Sequence, residues 1–137
     1  MSIPARSASL LLGLLVSATA LAQMTPSAIA DQFFKRIVAG EPGVAFDTLM
    51  GHSRLDEVEP AEISAAKGRL GEGMLLYGTP GSYEEIARKP YGDSIVRLVY
   101  ITKHTDSPLV WNLYFYRASS DWQLLDFDFS QNLERLE

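Results

Sequence analysis

The feature that most constrains the fold is a change of period at Gly78-Thr79-Pro80-Gly81. Before this turn apolar residues recur every three or four positions, and after it they alternate. Ile29, Phe33 and Ile37, flanked by Ala30, Phe34 and Val38, form one helical stripe. It starts at Thr25-Pro26, an N-cap followed by proline in the first turn, and Gly40 is placed to end it. A second helix is predicted over 42–50, with Val44, Phe46 and Leu49 apolar and Gly51 closing it. A third is predicted from 61 to about 76 on the spacing of Ile63, Ala66, Leu70 and Met74. Gly68, Gly71 and Gly73 weaken it by roughly 1 kcal/mol each against Ala. That helix is expected to be the least stable, or to use its glycines for a close backbone approach. Between the second and third helices, His52, Arg54, Asp56, Glu57 and Glu59 read as a charged connection.

Beyond the turn, four strands are predicted over 82–89, 94–104, 109–117 and 122–129. The breaks between them, Pro90 to Asp93, Thr105 to Pro108 and Ala118 to Asp121, are polar and of hairpin length, so the strands form an antiparallel meander. The expected class is α+β, three N-terminal helices packed on a four-stranded antiparallel sheet, in one domain over 23–137.

The N-terminal segment points outside the cytoplasm. Arg6 lies in a short polar start, 10–16 is an apolar run, and Ala20-Leu21-Ala22 precedes Gln23. That is the order of a secretory signal peptide over 1–22 with cleavage before Gln23. The apolar run falls short of the roughly 20 residues of a spanning helix, so no membrane insertion is expected after cleavage. The chain has no cysteine, which removes a cysteine-linked lipid anchor, disulfides and thiol catalysis. A periplasmic location is expected in preference to an extracellular one. With Arg6 lost in the leader, 11 Lys and Arg face 17 Asp and Glu, a net charge of −6. This balance disfavours nucleic acid and anionic membrane as partners, since both reward clustered positive charge.

The order of elements carries a resemblance. Ala30-Asp31-Gln32-Phe33-Phe34, the stretch from Gly40 through Asp47, and Asp121-Trp122-Gln123-Leu124 in a terminal sheet resemble the nuclear transport factor two-like superfamily. Tyr77 to Pro80, Tyr91 to Ser94 and Trp111 to Tyr116 are similar to its small exported members. The resemblance implies a cone of cystatin-like architecture, with the sheet curled around the helices and often a pocket at its open end. It implies no particular activity, because the same cone serves enzymes, binding modules and assembly domains.

Alternation sorts the sheet into two faces. Val96, Leu98 and Tyr100, then Trp111, Leu113 and Phe115, then Leu125, Phe127 and Phe129 are assigned to the helix side. The outer face then carries Arg97, Asn112, Tyr114, Tyr116 and Trp122 with Ile95, Val99, Asp126 and Asp128. So aromatic a face suggests a sheet-to-sheet homodimer or another partner surface. Tyr77, Tyr83, Trp111 and Phe115 are the expected lining of a pocket for a small apolar ligand.

No motif dictates a reaction. Asp126 and Asp128, at i and i+2 and about 7 Å apart, are weak candidates for a carboxylate base. Solvated alternate residues of a half-buried strand, or partners for Arg97, are the more ordinary explanation. His52 and His104 have no ligand spacing, the glycines of 68–73 lack the Lys-Ser/Thr of a phosphate loop, and no metal or other cofactor is expected. The leading expectation is therefore a non-enzymatic exported domain that binds a small molecule or a protein. The alternatives are a proton-transfer enzyme using Asp126 or Asp128 with a tyrosine, and a purely structural dimerisation module.

Overall fold

A computed structural model describes Ser2, Pro4 and residues 24–136, so the signal peptide expected over 1–22 lies outside the described residues apart from those two. No helix among the described residues is long and apolar enough to cross a membrane.

Helix α1 (Pro26–Val38) forms where its sequence supplies both ends. Thr25 Oγ1 accepts the N–H of Ala28 at 3.1 Å, Pro26 occupies the first turn, and Gly40 adopts φ 78° after the last. Its stripe of Ile29, Ala30, Phe33, Phe34 and Ile37 is buried. Helix α2 (Pro42–Met50) packs on α1 through Ala45, Phe46, Leu49 and Met50. The charged connection contains an unforeseen single turn, α3 (Leu55–Val58). Helix α4 (Pro60–Tyr77) buries only Ile63, Ala66 and Leu70 and stops at Gly78, where φ is 81°. The described residues thus hold four α-helices where three were expected, because isolated apolar residues in a charged segment carry no period.

The sheet is a meander of β1 (Ser82–Tyr91), β2 (Ile95–Lys103), β3 (Pro108–Arg117) and β4 (Trp122–Ser130), antiparallel throughout in the order β1-β2-β3-β4. Val96 pairs with Phe115, Leu98 with Leu113 and Tyr100 with Trp111, and all six side chains are buried with the helices. Trp111 lies 5.3 Å from Phe33, 5.5 Å from Phe34 and 4.5 Å from Phe129, ring centre to ring centre. Aromatic packing of this kind fixes the mutual position of α1 and the sheet.

Two bulges break the alternation. In β1 the register shifts between Glu85 and Ala87, leaving Ile86 extra. In β4, Tyr114 pairs with Asp126 but Phe115 with Leu124, leaving Leu125 extra. The second bulge corrects the assignment made from strict alternation. Leu124 and Trp122 lie on the helix side and Leu125 is turned out, while Phe127 and Phe129 pack against the core as expected.

The outer face has its own cover. A 3-10 turn at Leu133–Leu136 packs on β3, and the Arg135 carbonyl accepts from Asn112 Nδ2 at 3.1 Å and from Arg97 Nη2 at 3.3 Å. Val99 and Val110 are on that face and almost fully buried.

Candidate functional site

A groove runs along β4 beside α3. It exists because the 51–54 segment is pinned to the strand. Leu124 donates its N–H to the His52 carbonyl at 2.7 Å, and Ser53 Oγ donates to the Leu124 carbonyl at 2.8 Å while accepting the N–H of Leu55 at 3.1 Å. The hydroxyl therefore joins the strand to the start of α3. The bulge next to this anchor turns Leu125 away from the core into the gap. Bulges commonly re-aim a side chain in this way.

The groove has a volume of about 560 Å³. Leu55, Val58, Tyr116 and Leu125 supply its apolar wall over the buried Leu124. Val58 is 67 % exposed, Leu125 52 % and Tyr116 39 %, a concentration of apolar surface on an acidic protein. Arg54, Glu59 and Asp126 form its polar edge, with Arg54 paired to Glu57 at 3.4 Å. Past Asp126 the groove meets a smaller cleft of about 260 Å³ against α4, where the Arg69 guanidinium sits 5.0 Å from the Phe129 ring centre. On the other side of the Ser53 anchor, a hollow of about 300 Å³ is lined by Met24, His52, Asp121 and Trp122.

The two candidate carboxylates share the outer face, opposite Tyr114 and Asn112 respectively. Asp126 Oδ1 accepts the N–H of Phe127 at 2.9 Å, and Asp128 Oδ2 meets Arg135 Nη1 at 3.4 Å. Asp128 Oδ1 is enclosed without a hydrogen-bond partner among the described residues. Of the pair, only Asp126 lines the groove.

The expected pocket residues do not converge. Trp111 and Phe115 are fully buried, with Phe33, Phe34 and Phe129 packed directly against the Trp111 ring. Side chains fill the space that a ligand at Trp111 would take. Tyr77 is half-buried at the last residue of α4. Tyr83 stacks on Phe34 at 5.4 Å and donates its hydroxyl to Asp31 Oδ1 at 2.8 Å. Burial, then the bond to Asp31, push its phenol up to about 12. Tyr100 beside it is also raised, first by burial and then by Glu85.

The expected partner face divides in the same way. Arg97 donates Nε–H to Asn112 Oδ1 at 2.8 Å, and Asn112 is buried beneath the C-terminal turn. Tyr114 is half-buried, Tyr116 opens into the groove, and Trp122 is on the helix side with the Arg117 guanidinium 4.6 Å from its ring centre. Among the described residues no group of three or more His, Asp or Glu is placed to hold a metal ion.

Sequence reasoning missed Leu55, Val58 and Leu125 as site residues. Two faint signals pointed to them: Leu55 and Val58 stand three apart in a charged stretch, and adjacent Leu124-Leu125 interrupts a strand that otherwise alternates. No family model, curated protein or solved structure matches the chain.

Proposed function

We propose that this is an exported, periplasmic binding domain that takes an apolar small molecule, or the apolar side chains of a partner protein, in the groove between α3 and β4. The observation that carries the reading is the outward turn of Leu125 at the β4 bulge, which joins Val58 and Tyr116 in one exposed apolar wall. A volume of about 560 Å³ is within the range of small-ligand sites. Export rests on the leader sequence, and the kinship with cone-shaped domains rests on the order of helices followed by an antiparallel meander.

The test is titration of residues 23–137 with anilinonaphthalene sulfonate, an apolar fluorescent probe. Strong enhancement that is lost in Leu125→Glu and Val58→Glu, with unchanged circular dichroism, supports the groove. Equal enhancement in both variants removes it as the site.

A second reading, proton transfer, is favoured by one observation: Asp126 and Tyr116 line the same groove, a carboxylate and a phenol at one apolar surface. Deuterium incorporation from heavy water into a ligand recovered from the groove, abolished by Asp126→Asn, distinguishes it from binding alone.

A further inference from the structure

Among the described residues β1 is an edge strand, on the opposite side of the sheet from the groove. Nine of its ten residues are exposed. Along it the chain reads Glu84-Glu85-Ile86-Ala87-Arg88-Lys89, acidic in its first half and basic in its second. Laid antiparallel against itself, this strand sets 84 against 89, 85 against 88 and 86 against 87.

In a regular strand that pairing fails. Residues 84 and 89 are an odd number apart and project from opposite faces, so a two-fold axis normal to the sheet cannot bring them together. The bulge at Ile86 removes the obstacle. Glu84 pairs with Ile101 and Lys89 with Arg97, both outer-face positions, while Glu85 pairs with Tyr100 and Arg88 with Leu98, both on the helix side. Each acid is thereby on the same face as the base it would meet.

We propose that β1 is a self-association edge: a second copy of this chain adds its β1 antiparallel to the first about a two-fold axis. Glu84 then faces Lys89 of the second copy, Glu85 faces Arg88, and each pair occurs twice by symmetry. Pro90, which has no N–H to donate, ends the shared ladder. Charge, bulge and proline are also the usual defences of an exposed edge. A defence by charge, however, works best with one sign. Divided as here, the charges repel an in-register parallel neighbour and favour the two-fold antiparallel one. The present intrachain partners, Glu84 to Lys103 at 3.0 Å, Glu85 to Arg88 at 3.9 Å, Arg88 Nη2 to Ser27 Oγ at 2.6 Å and Lys89 Nζ 5.2 Å from the Tyr91 ring centre, are all solvent-exposed contacts that the paired edge can exchange. The proposal is independent of the groove.

The experiment is sedimentation equilibrium of residues 23–137 and two variants. E84K/E85K makes the edge wholly basic, and R88E/K89E makes it wholly acidic. The expected result is a wild-type dimer that weakens with salt, two variants that self-associate roughly tenfold or more less tightly, and a one-to-one dimer when they are mixed. A wild type that stays monomeric at the highest concentration overturns the proposal, as do variants that dimerise alone as tightly as the wild type. If a double variant loses its native circular dichroism, E84K and K89E carry the same comparison singly.

Discussion

Trp111 donates its indole N–H to Thr102 Oγ1 across 3.0 Å in the buried core, and the hydroxyl passes the connection on to His104. The direction of each bond follows from the ends. His104 Nδ1 is 2.7 Å from the Gly78 carbonyl, which only accepts, so in the neutral imidazole Nδ1 carries the proton and Nε2 accepts from Thr102 at 3.0 Å. Three buried polar groups are satisfied in one chain that ties the end of α4 to the sheet.

Replacing Thr102 by Val keeps the shape and removes both bonds. The Trp111 N–H and His104 Nε2 are then buried without partners, and a loss of about 2–3 kcal/mol is expected in urea unfolding. Thr102→Ser keeps the hydroxyl and should lose less. Equal losses in the two variants would mean that the methyl group matters and the bonds do not.

Tyr83 makes stability depend on alkaline pH. Its folded phenol is raised to about 12, by burial first and by Asp31 second, while the unfolded phenol ionises near about 10. A group raised on folding contributes in full below its unfolded value. Its stabilisation is therefore complete below about pH 10 and is lost as pH rises towards about 12. Tyr100 acts in the same direction. Ultraviolet titration of Asp31→Asn should bring the Tyr83 transition down while leaving it above the free phenol, since burial remains. An unmoved transition would remove Asp31 from the account.

The β4 bulge predicts opposite behaviour for neighbouring leucines. Leu124 is 2 % exposed and Leu125 is 52 % exposed. Leu124→Ala should cost about 2–4 kcal/mol, and Leu125→Ala no more than about 0.5 kcal/mol. Thermal unfolding of the two variants separates this register from strict alternation, which reverses the order.

The glycines of α4 serve no close approach. Among the described residues, a methyl group at Gly68, Gly71 or Gly73 would meet no atom within 4 Å beyond the helix's own neighbouring backbone, and none of the three has a positive φ. Each change to Ala should therefore stabilise the protein, by roughly 0.5–1 kcal/mol. A melting temperature that falls in Gly71→Ala would show that this position is constrained by something other than local space.

How far the site was legible depends on what kind of signal each residue carries. Asp126 and Tyr116 were named from strand alternation alone and do line the groove. Trp111 and Phe115 were named as pocket lining, a different role from the carboxylate and partner-face roles given to Asp126 and Tyr116, because they are aromatic, yet an aromatic ring fills a core as readily as it lines a pocket. Composition does not separate the two. The neighbours do: Phe33 and Phe34 arrive from another element and occupy the space.

The elements themselves can be read along the chain. Periods of 3.6 and two are local properties, so the first, second and longest helices, the four strands and the turn at Gly78 follow from residues only a few positions apart. Which side chains those elements expose depends on contacts between segments far apart in the chain. A bulge is settled by the partner strand, and one extra residue at Leu125 or Ile86 reverses the facing of everything beyond it. The groove needed more still, since it required Ser53, 71 positions away in the chain, to bond to Leu124 and hold α3 beside β4.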